Sequence, residues 1–333
     1  MRSLVGVTGA AALVLLSGAG PAAAADGDVE AFTIKDPRIT ESSGLAASRA
    51  HPGIYWTHND SNDGAFLYAV DSRTGETVAT VTLAGVGAPR DVEAVSIGPD
   101  GDVYVGDIGD NLGGTWDHVW IYRFPEPKQL RDTTVKATQY VVKYADGARD
   151  AEALMVHPKT GRVYIADKKR NGEGGLYEGP AELSAAGTNV FRRVADVDLW
   201  TTDGAFSPDG RQLLLRGYFE ATAYKWKDGR PAGGERADVP FQRQGESVTY
   251  SPDGGTLLYG SEGKGSEVEP IEAPGAAAEP TEEASKSPVG EGSSEAGSGS
   301  GADGGDRDFT VGAVVIAVVV AAVMGLKRLF RKV

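Results

Sequence analysis

Apolar residues in the middle of the chain come in short runs bounded by Gly, Pro, Asp and Asn, and no window shows a strong 3.6-residue period. Such runs predict short strands rather than helices. The clearest stretch is Arg90 to Asn111, RDVEAVSIGPDGDVYVGDIGDN. Ala94 to Ile97 forms one run, Gly98-Pro99-Asp100-Gly101 supplies the turn, and Val103-Tyr104-Val105 forms the second run. Antiparallel pairing places Glu93 and Asp107 at the same open end of this hairpin.

The hairpin repeats. EAVSIGPDGDVYVGD from Glu93 is matched by EALMVHPKTGRVYIAD from Glu152, TDGAFSPDGRQLLLRG from Thr202, ESVTYSPDGGTLLYGSE from Glu246 and, more loosely, SGLAASRAHPGIYWTHND from Ser43. Successive starts lie 50, 59, 50 and 44 residues apart, the period of four-stranded propeller blades. Third runs carry an aromatic at a matching place (Tyr68, Tyr122, Tyr177, Tyr224), which reads as sheet packing. Fourth runs follow at Thr77 to Leu83, Thr134 to Tyr144 and Asn189 to Val197. The last unit has a third strand near Ser266 to Glu269 and no fourth. The unpartnered run Val29 to Lys35 fits as its outer strand, which closes the ring and removes two open edges. The expected fold is all-β: a five-bladed β-propeller closed by the N-terminal strand, with six blades as the competing count. A doubly wound α/β fold lacks its helices, and a plain sandwich does not explain the repeat.

Both ends of the chain fall outside this pattern. Residues 1–25 combine Arg2, an apolar run from Leu4 to Leu16 and a small-residue cleavage site at Ala22 to Ala25, and so read as a secretory signal. The propeller is expected over 26–271. Composition turns to Gly, Ser, Ala, Pro and Glu after Gly263, where residues 263–308 hold 11 acidic and 3 basic residues. The part from 272 to 308 is an acidic stalk that cannot bury enough apolar surface to fold. Residues 309–326 form a C-terminal transmembrane helix, and the basic tail 327–333, with Lys327, Arg328, Arg331 and Lys332, places the C-terminus in the cytoplasm. The expected location is the cell membrane, single-pass, with the N-terminal domain extracellular. Residues 26–262 carry a net charge of −11, which argues against nucleic acid and anionic lipid and favours divalent cations or cationic ligands. There is no cysteine, so no disulfide assists the exported domain.

Propeller geometry brings the start of each first strand and the end of each second strand to one mouth of the channel. In register, the starts are Ser43, Glu93, Glu152, Thr202 and Glu246, with Glu41 and Asp203 close by. The second-strand ends add His58, Asn59 and Asp60; Asp107, Asp110 and Asn111; Asp167 and Lys168; Arg216 and Tyr218; and Glu262. Arg90-Asp91 and Arg149-Asp150 stand at two strand entrances. Converging carboxylates must be neutralised by a bound cation, by the arginines or by protonation. Oxygen donors of this kind suit Ca²⁺ better than Zn²⁺. Two readings stand side by side: a channel-mouth cation, or structural acids that bond the backbone of the next blade.

The pieces WTHNDSNDGAFLYAVDSRTGE, DVEAVSIGPDGDVYVGDIGDN with the following IYRFPEP, and GESVTYSPDGGTLLYGSEG resemble a family of exported, actinobacterial-type WD40-like β-propellers, from about Glu41 to Gly263. More distantly, Glu at the start of inner strands resembles the esterase-like phytase and gluconolactonase-type propellers. That resemblance implies Ca²⁺ in the channel, held by Glu93, Glu152 and Glu246 with Asp107 and Asn111 as helpers. No serine-nucleophile elbow, zincin pair or phosphate loop occurs. The expected function is a membrane-anchored surface propeller that binds an extracellular ligand or protein partner at the acidic mouth with a divalent cation. The alternative is a metal-dependent phosphoester or lactone hydrolase, with His58 or a mouth carboxylate as base and Arg216 or Lys168 as electrophile. Whether the protein is an enzyme stays open at this stage.

Overall fold

The structure, a computed structural model, describes residues 29–169 and 173–275. The signal segment, most of the stalk, the apolar span 309–326 and the tail 327–333 lie outside them. Among the described residues every regular element is a strand. After β1 (Phe32–Thr33) come β2 (Ser42–Ala47), β3 (Ile54–Asn59), β4 (Phe66–Asp71) and β5 (Thr77–Ala84), an antiparallel unit in chain order. A second unit holds β6 (Val92–Ile97), β7 (Asp102–Asp107) and β8 (Val119–Pro125). The run expected as its single fourth strand splits into β9 (Thr133–Lys136) and β10 (Thr138–Tyr144). β9 lies parallel on the outer edge of β5, and only β10 pairs with β8. The chain crosses between units at Ala137, whose N–H bonds the Ala84 carbonyl at 2.9 Å.

The third unit is β11 (Ala151–Val156), β12 (Val163–Asp167), β13 (Gly174–Glu178) and β14 (Thr188–Val197). Parallel pairing of β10 with β14 joins it to the second unit in one eight-stranded sheet. β15 (Thr201–Phe206), β16 (Gln212–Gly217), β17 (Ala221–Lys227) and β18 (Arg230–Ala237) make the fourth unit. β19 (Gly245–Tyr250), β20 (Thr256–Ser261) and β21 (Glu267–Glu272) are completed by β1, which pairs antiparallel with β21. The N-terminal closing strand is therefore present, although its ladder spans only Phe32 and Thr33.

The units form a β-propeller. First strands β2, β6, β11, β15 and β19 each touch the next, and β19 returns to β2. Five apolar cores lie between successive units. Trp56, Leu67 and Val81 meet Val95, Val103 and Val105 between the first two. Leu154 and Ile165 pack with Ile121 and Tyr140, Met155 with Leu213 and Leu215, Leu214 with Val248 and Leu257, and Leu258 with Ile34, Leu45 and Tyr68. Burial on both faces explains why the inner strands read as continuous apolar runs rather than as clean alternation.

The inner edges of the first strands have no sheet partner, so their backbone groups need other bonds. Side chains of the preceding unit supply them. Ser43 Oγ donates to the Glu93 carbonyl at 3.1 Å, Ser96 Oγ accepts the Val156 N–H at 3.1 Å, Asp203 Oδ2 accepts the Val248 N–H at 2.8 Å, and Thr249 Oγ1 accepts the Ala47 N–H at 3.4 Å. At the hairpin-turn face the channel widens into a largely apolar cavity of about 580 Å³, lined by Leu45, Ile97, Val156, Phe206, Val248 and Tyr250 among others. The turns there follow their sequence chemistry, with Gly101 and Gly254 at φ +80° and +81° where an L side chain is strained.

Candidate functional site: the acidic channel mouth

The mouth is built on one irregularity repeated in every unit. Pairing between first and second strand skips at Ser42/Leu45, Val92/Ala94, Ala151/Ala153, Thr201/Asp203 and Gly245/Ser247. The residues left out of the ladder are Ser43 with Gly44, Glu93, Glu152, Thr202 and Glu246. These are the five positions aligned from the sequence. A bulge frees one residue from pairing and re-aims its side chain, here toward the channel mouth.

Three glutamates from different units converge on Lys168, which follows the last residue of β12. Its Nζ lies 2.7 Å from Glu152 Oε1 and 5.4 Å from the centre of the Tyr218 ring, which stands edge-on to Trp200 at 4.8 Å. Burial opposes the ammonium charge, but Glu152 above all, with Glu246 and Glu93, pushes the Lys168 pKa well above its usual value. The chain thus provides a cation of its own among the carboxylates, the role that sequence reasoning divided between a metal and two arginines.

The carboxyls remain in excess. Burial first, then Glu152, Asp91 and Asp60, raises Glu93 well above the carboxylate range, and Ser43 Oγ donates to its Oε2 at 3.1 Å. Burial and Asp150 push Glu152 up to about 7, with Lys168 pulling back. Glu246 rises to about 8 through burial, Glu262 and Glu152, against Lys168 and a 2.7 Å bond from Gln244 Nε2. Asp60 rises to about 7 through burial and Glu41, whose Oε2 also accepts a bond from Ser61 at 2.8 Å. Asp150 is likewise raised by burial, and its Oδ1 accepts the Asp110 N–H at 2.9 Å.

Other expected members of the site have structural duties. Asp107 accepts the N–H groups of Arg90 and Asp91 at 3.1 and 3.0 Å and the Tyr122 hydroxyl at 2.5 Å, and so clamps the entry to β6. Asn59 does the same for the entry to β2, accepting the Thr40 and Glu41 N–H groups at 2.9 Å. Asn111 donates to Asp91 Oδ1 and Oδ2 at 2.7 and 2.6 Å and so orients that carboxylate. Asp110 closes its own loop by accepting the N–H groups of Leu112, Thr115 and Trp116. Asp167 accepts the Gly175 N–H at 2.6 Å, and Asp203 ties β15 to β19.

Neither arginine at a strand entrance neutralises the glutamates. Arg90 is sandwiched between Trp116 and Trp120, its guanidinium carbon 4.1 and 3.8 Å from their ring centres. Arg149 pairs with Asp146 at 2.8 Å and lies 3.8 Å from Asp167. Arg216, expected as an electrophile, is fully buried and bonds the Ser247 and Gly260 carbonyls at 2.5 and 2.9 Å and Gln242 at 2.7 Å. It joins the fourth and fifth units. His58 is buried beside Gly44, and desolvation lowers its pKa to about 4, so it is neutral at physiological pH.

Gly109 of the GDIGDN piece marks a close approach. A Cβ there would lie 2.6 Å from Glu93 Oε1 and 2.7 Å from Asp91 Oδ2. Gly109→Ala is therefore expected to push both carboxylates aside at a cost of about 1–3 kcal/mol, read as a lower urea midpoint with an unchanged m-value. A midpoint equal to that of the parent protein would show that the loop yields instead.

Among the described residues no group of three His, Cys, Asp or Glu side chains is disposed to hold a metal ion. No family model matches the chain, and neither does any curated protein, so the resemblance to exported WD40-like propellers stands on its motifs alone. Solved structures do resemble it. One is a gluconolactonase from Xanthomonas campestris, at 19% identity over 75% of this chain and 82% of the other, with a TM-score of 0.45. Another is a PQQ-bound aldose sugar dehydrogenase from Streptomyces coelicolor, at 12% identity over 73% and 99%, with a TM-score of 0.43. Both likenesses are too remote to transfer a ligand or a reaction to this mouth.

Proposed function

We propose that the chain is a five-bladed propeller, exported and anchored in the membrane by its C-terminal segment, whose acidic mouth binds a cationic group carried by an extracellular ligand or protein partner. One observation carries this reading. A single lysine, Lys168, faces the carboxyls of Glu93, Glu152 and Glu246, and Asp60, Asp91 and Asp150 add to the field around them. A second positive charge entering between Glu93 and Glu246 leaves the Lys168–Glu152 pair in place and relieves repulsion among the rest.

Ca²⁺ is the inorganic form of the same proposal. It would draw on Glu93 and Glu246, because Asp107 and Asn111 are engaged elsewhere and Glu152 holds Lys168. Of the helpers named for the hydrolase alternative, His58 is buried and Arg216 is spent on carbonyls between two units, which leaves that reading with Lys168 and a mouth carboxylate. Among the described residues, the C-terminal end leaves from the face opposite the mouth. β21 runs from the mouth toward the turn face, where the Pro274 carbonyl accepts a bond from Gln212 at the start of β16.

The test is thermal melting of the full-length chain in detergent micelles with millimolar Ca²⁺, with chelator and with lysinamide. At least one cation is expected to raise the melting temperature, and Glu93→Gln/Glu246→Gln should abolish the rise. If no cation shifts melting, the mouth does not bind cations.

A further inference from the structure

Exposed large apolar side chains are few among the described residues, and their distribution is uneven. Val78 and Val190 lie on the outer strands β5 and β14, where single exposed residues are ordinary. The other three stand on loops at the acidic mouth: Leu112 between β7 and β8, 65% exposed; Phe219 between β16 and β17, 42%; and Phe241 between β18 and β19, 89%. Phe219 continues an aromatic ledge that leads to Lys168. Its ring centre is 6.2 Å from that of Tyr218, which packs on Trp200 and lies over Lys168. The loop that carries Phe241 runs beside it, since a Cβ on Gly245 would meet the Tyr218 carbonyl at 2.7 Å and Gln242 accepts a bond from Arg216.

An inorganic ion at the glutamates would leave this rim bare. We propose that the rim and the glutamates together dock a basic segment of another polypeptide, whose lysine or arginine reaches Glu93 and Glu246 while apolar neighbours of that residue lie on Phe219 and Phe241. The proposal rests on the reading of the mouth as a cation site and adds the chemistry of the partner. Charge complementarity selects the occupant. The chain's own stalk, with 9 acidic and 2 basic residues over 272–308, carries the same sign as the mouth and so lacks the complementary charge, and the described chain departs from the opposite face. Nucleic acid and anionic lipid are repelled in the same way. Exposed aromatics around a charged centre are the usual anchors of a polypeptide interface.

Three blocked peptides test this on the full-length chain in micelles by titration calorimetry: one lysine flanked by leucines, one lysine flanked by glycines, and norleucine flanked by leucines. The leucine-flanked lysine is expected to bind about tenfold more tightly than the glycine-flanked one, as burial of two apolar side chains on an open rim implies. Phe219→Ala/Phe241→Ala should remove that gain and leave the glycine-flanked peptide unchanged. Both positions are exposed, so an unchanged melting temperature will confirm that the variant folds. Equal binding of the two lysine peptides, indifference to the double substitution, or equally tight binding of the norleucine peptide would overturn the docking proposal while leaving cation binding intact. If neither lysine peptide nor Ca²⁺ binds, the reading of the mouth as a cation site fails as well.

Discussion

Lys168→Met is expected to destabilise the domain by about 3–5 kcal/mol at neutral pH, the usual cost of leaving a buried ion pair with one partner. The lysine side chain is only 17% exposed and the Glu152 side chain 5%, at a separation of 2.7 Å. Methionine fills much the same volume, so loss of packing contributes little and the change isolates the charge. Without the ammonium, Glu152 loses its counter-charge and can stay buried among the other carboxyls only by taking up a proton. Two results follow from that cause and from no packing defect. Lys168→Met/Glu152→Gln should recover much of the loss, giving a coupling energy of about 2 kcal/mol or more in the double-mutant cycle. The deficit of the single variant should also shrink at pH 5, where the carboxyls are protonated in any case. Urea unfolding at pH 7 and pH 5 reads both. A loss below about 1 kcal/mol at pH 7 would place the pair in the class of weak surface bridges and remove Lys168 from the centre of the mouth.

The hairpins, the turns and the closing role of the N-terminal strand were legible because each depends on short-range pattern. Gly98-Pro99-Asp100-Gly101 dictates a turn, and the apolar runs beside it dictate strands. β9 was not legible. Residues 134–144 read as one continuous run, and only the parallel pairing of Thr133–Lys136 with β5 reveals a crossing between units. At the site, counting back from the turns found Ser43, Glu93, Glu152, Thr202 and Glu246, and the structure shows why counting worked: each residue is the bulge in its strand. Residue types misled at the second-strand ends. A carboxylate or amide there looks like a ligand, yet Asp107 and Asn59 have free backbone N–H groups of the incoming strand within reach and bond those first. The sequence also does not say which base neutralises the acids. Arg90 and Arg149 lie nearer in sequence to the glutamates that follow them, but Trp116 and Trp120 hold Arg90 and Asp146 holds Arg149, leaving Lys168 to turn inward.

Stability is expected to be greatest near pH 4–4.5 and to fall by at least about 3 kcal/mol, more than about 5 °C in melting temperature, by pH 8.5. Most domains show no such loss on the mildly alkaline side, so the sign matters. In the folded state Glu246 holds its proton up to about 8, Glu152 and Asp60 up to about 7, and Glu93 beyond the ordinary carboxylate range, chiefly because all four are buried. The unfolded chain releases those protons near pH 4–4.5. Their contribution to stability is therefore complete below that range, declines from there as pH rises, and is gone once pH has passed through 7 and 8. His58 acts in the opposite sense. Its folded pKa of about 4 lies below the unfolded 6.5, so its contribution is complete above pH 6.5 and is lost as pH falls toward 4. Asp36, lowered to about 2 by its bonds from Arg38, removes further stability only below pH 4. Four raised carboxyls outweigh one lowered histidine between pH 4.5 and 6.5, which places the maximum near pH 4–4.5. Glu246→Gln should flatten the alkaline limb, because glutamine stays neutral whatever the pH. The same protons compete with any cation at the mouth, so the lysine peptides should bind more tightly at pH 8.5 than at pH 6, where ligand and protons claim the same oxygens. Melting temperatures that are level from pH 6 to 8.5, in parent and variant alike, would show that the glutamates are ionised throughout and that the mouth already carries its full charge.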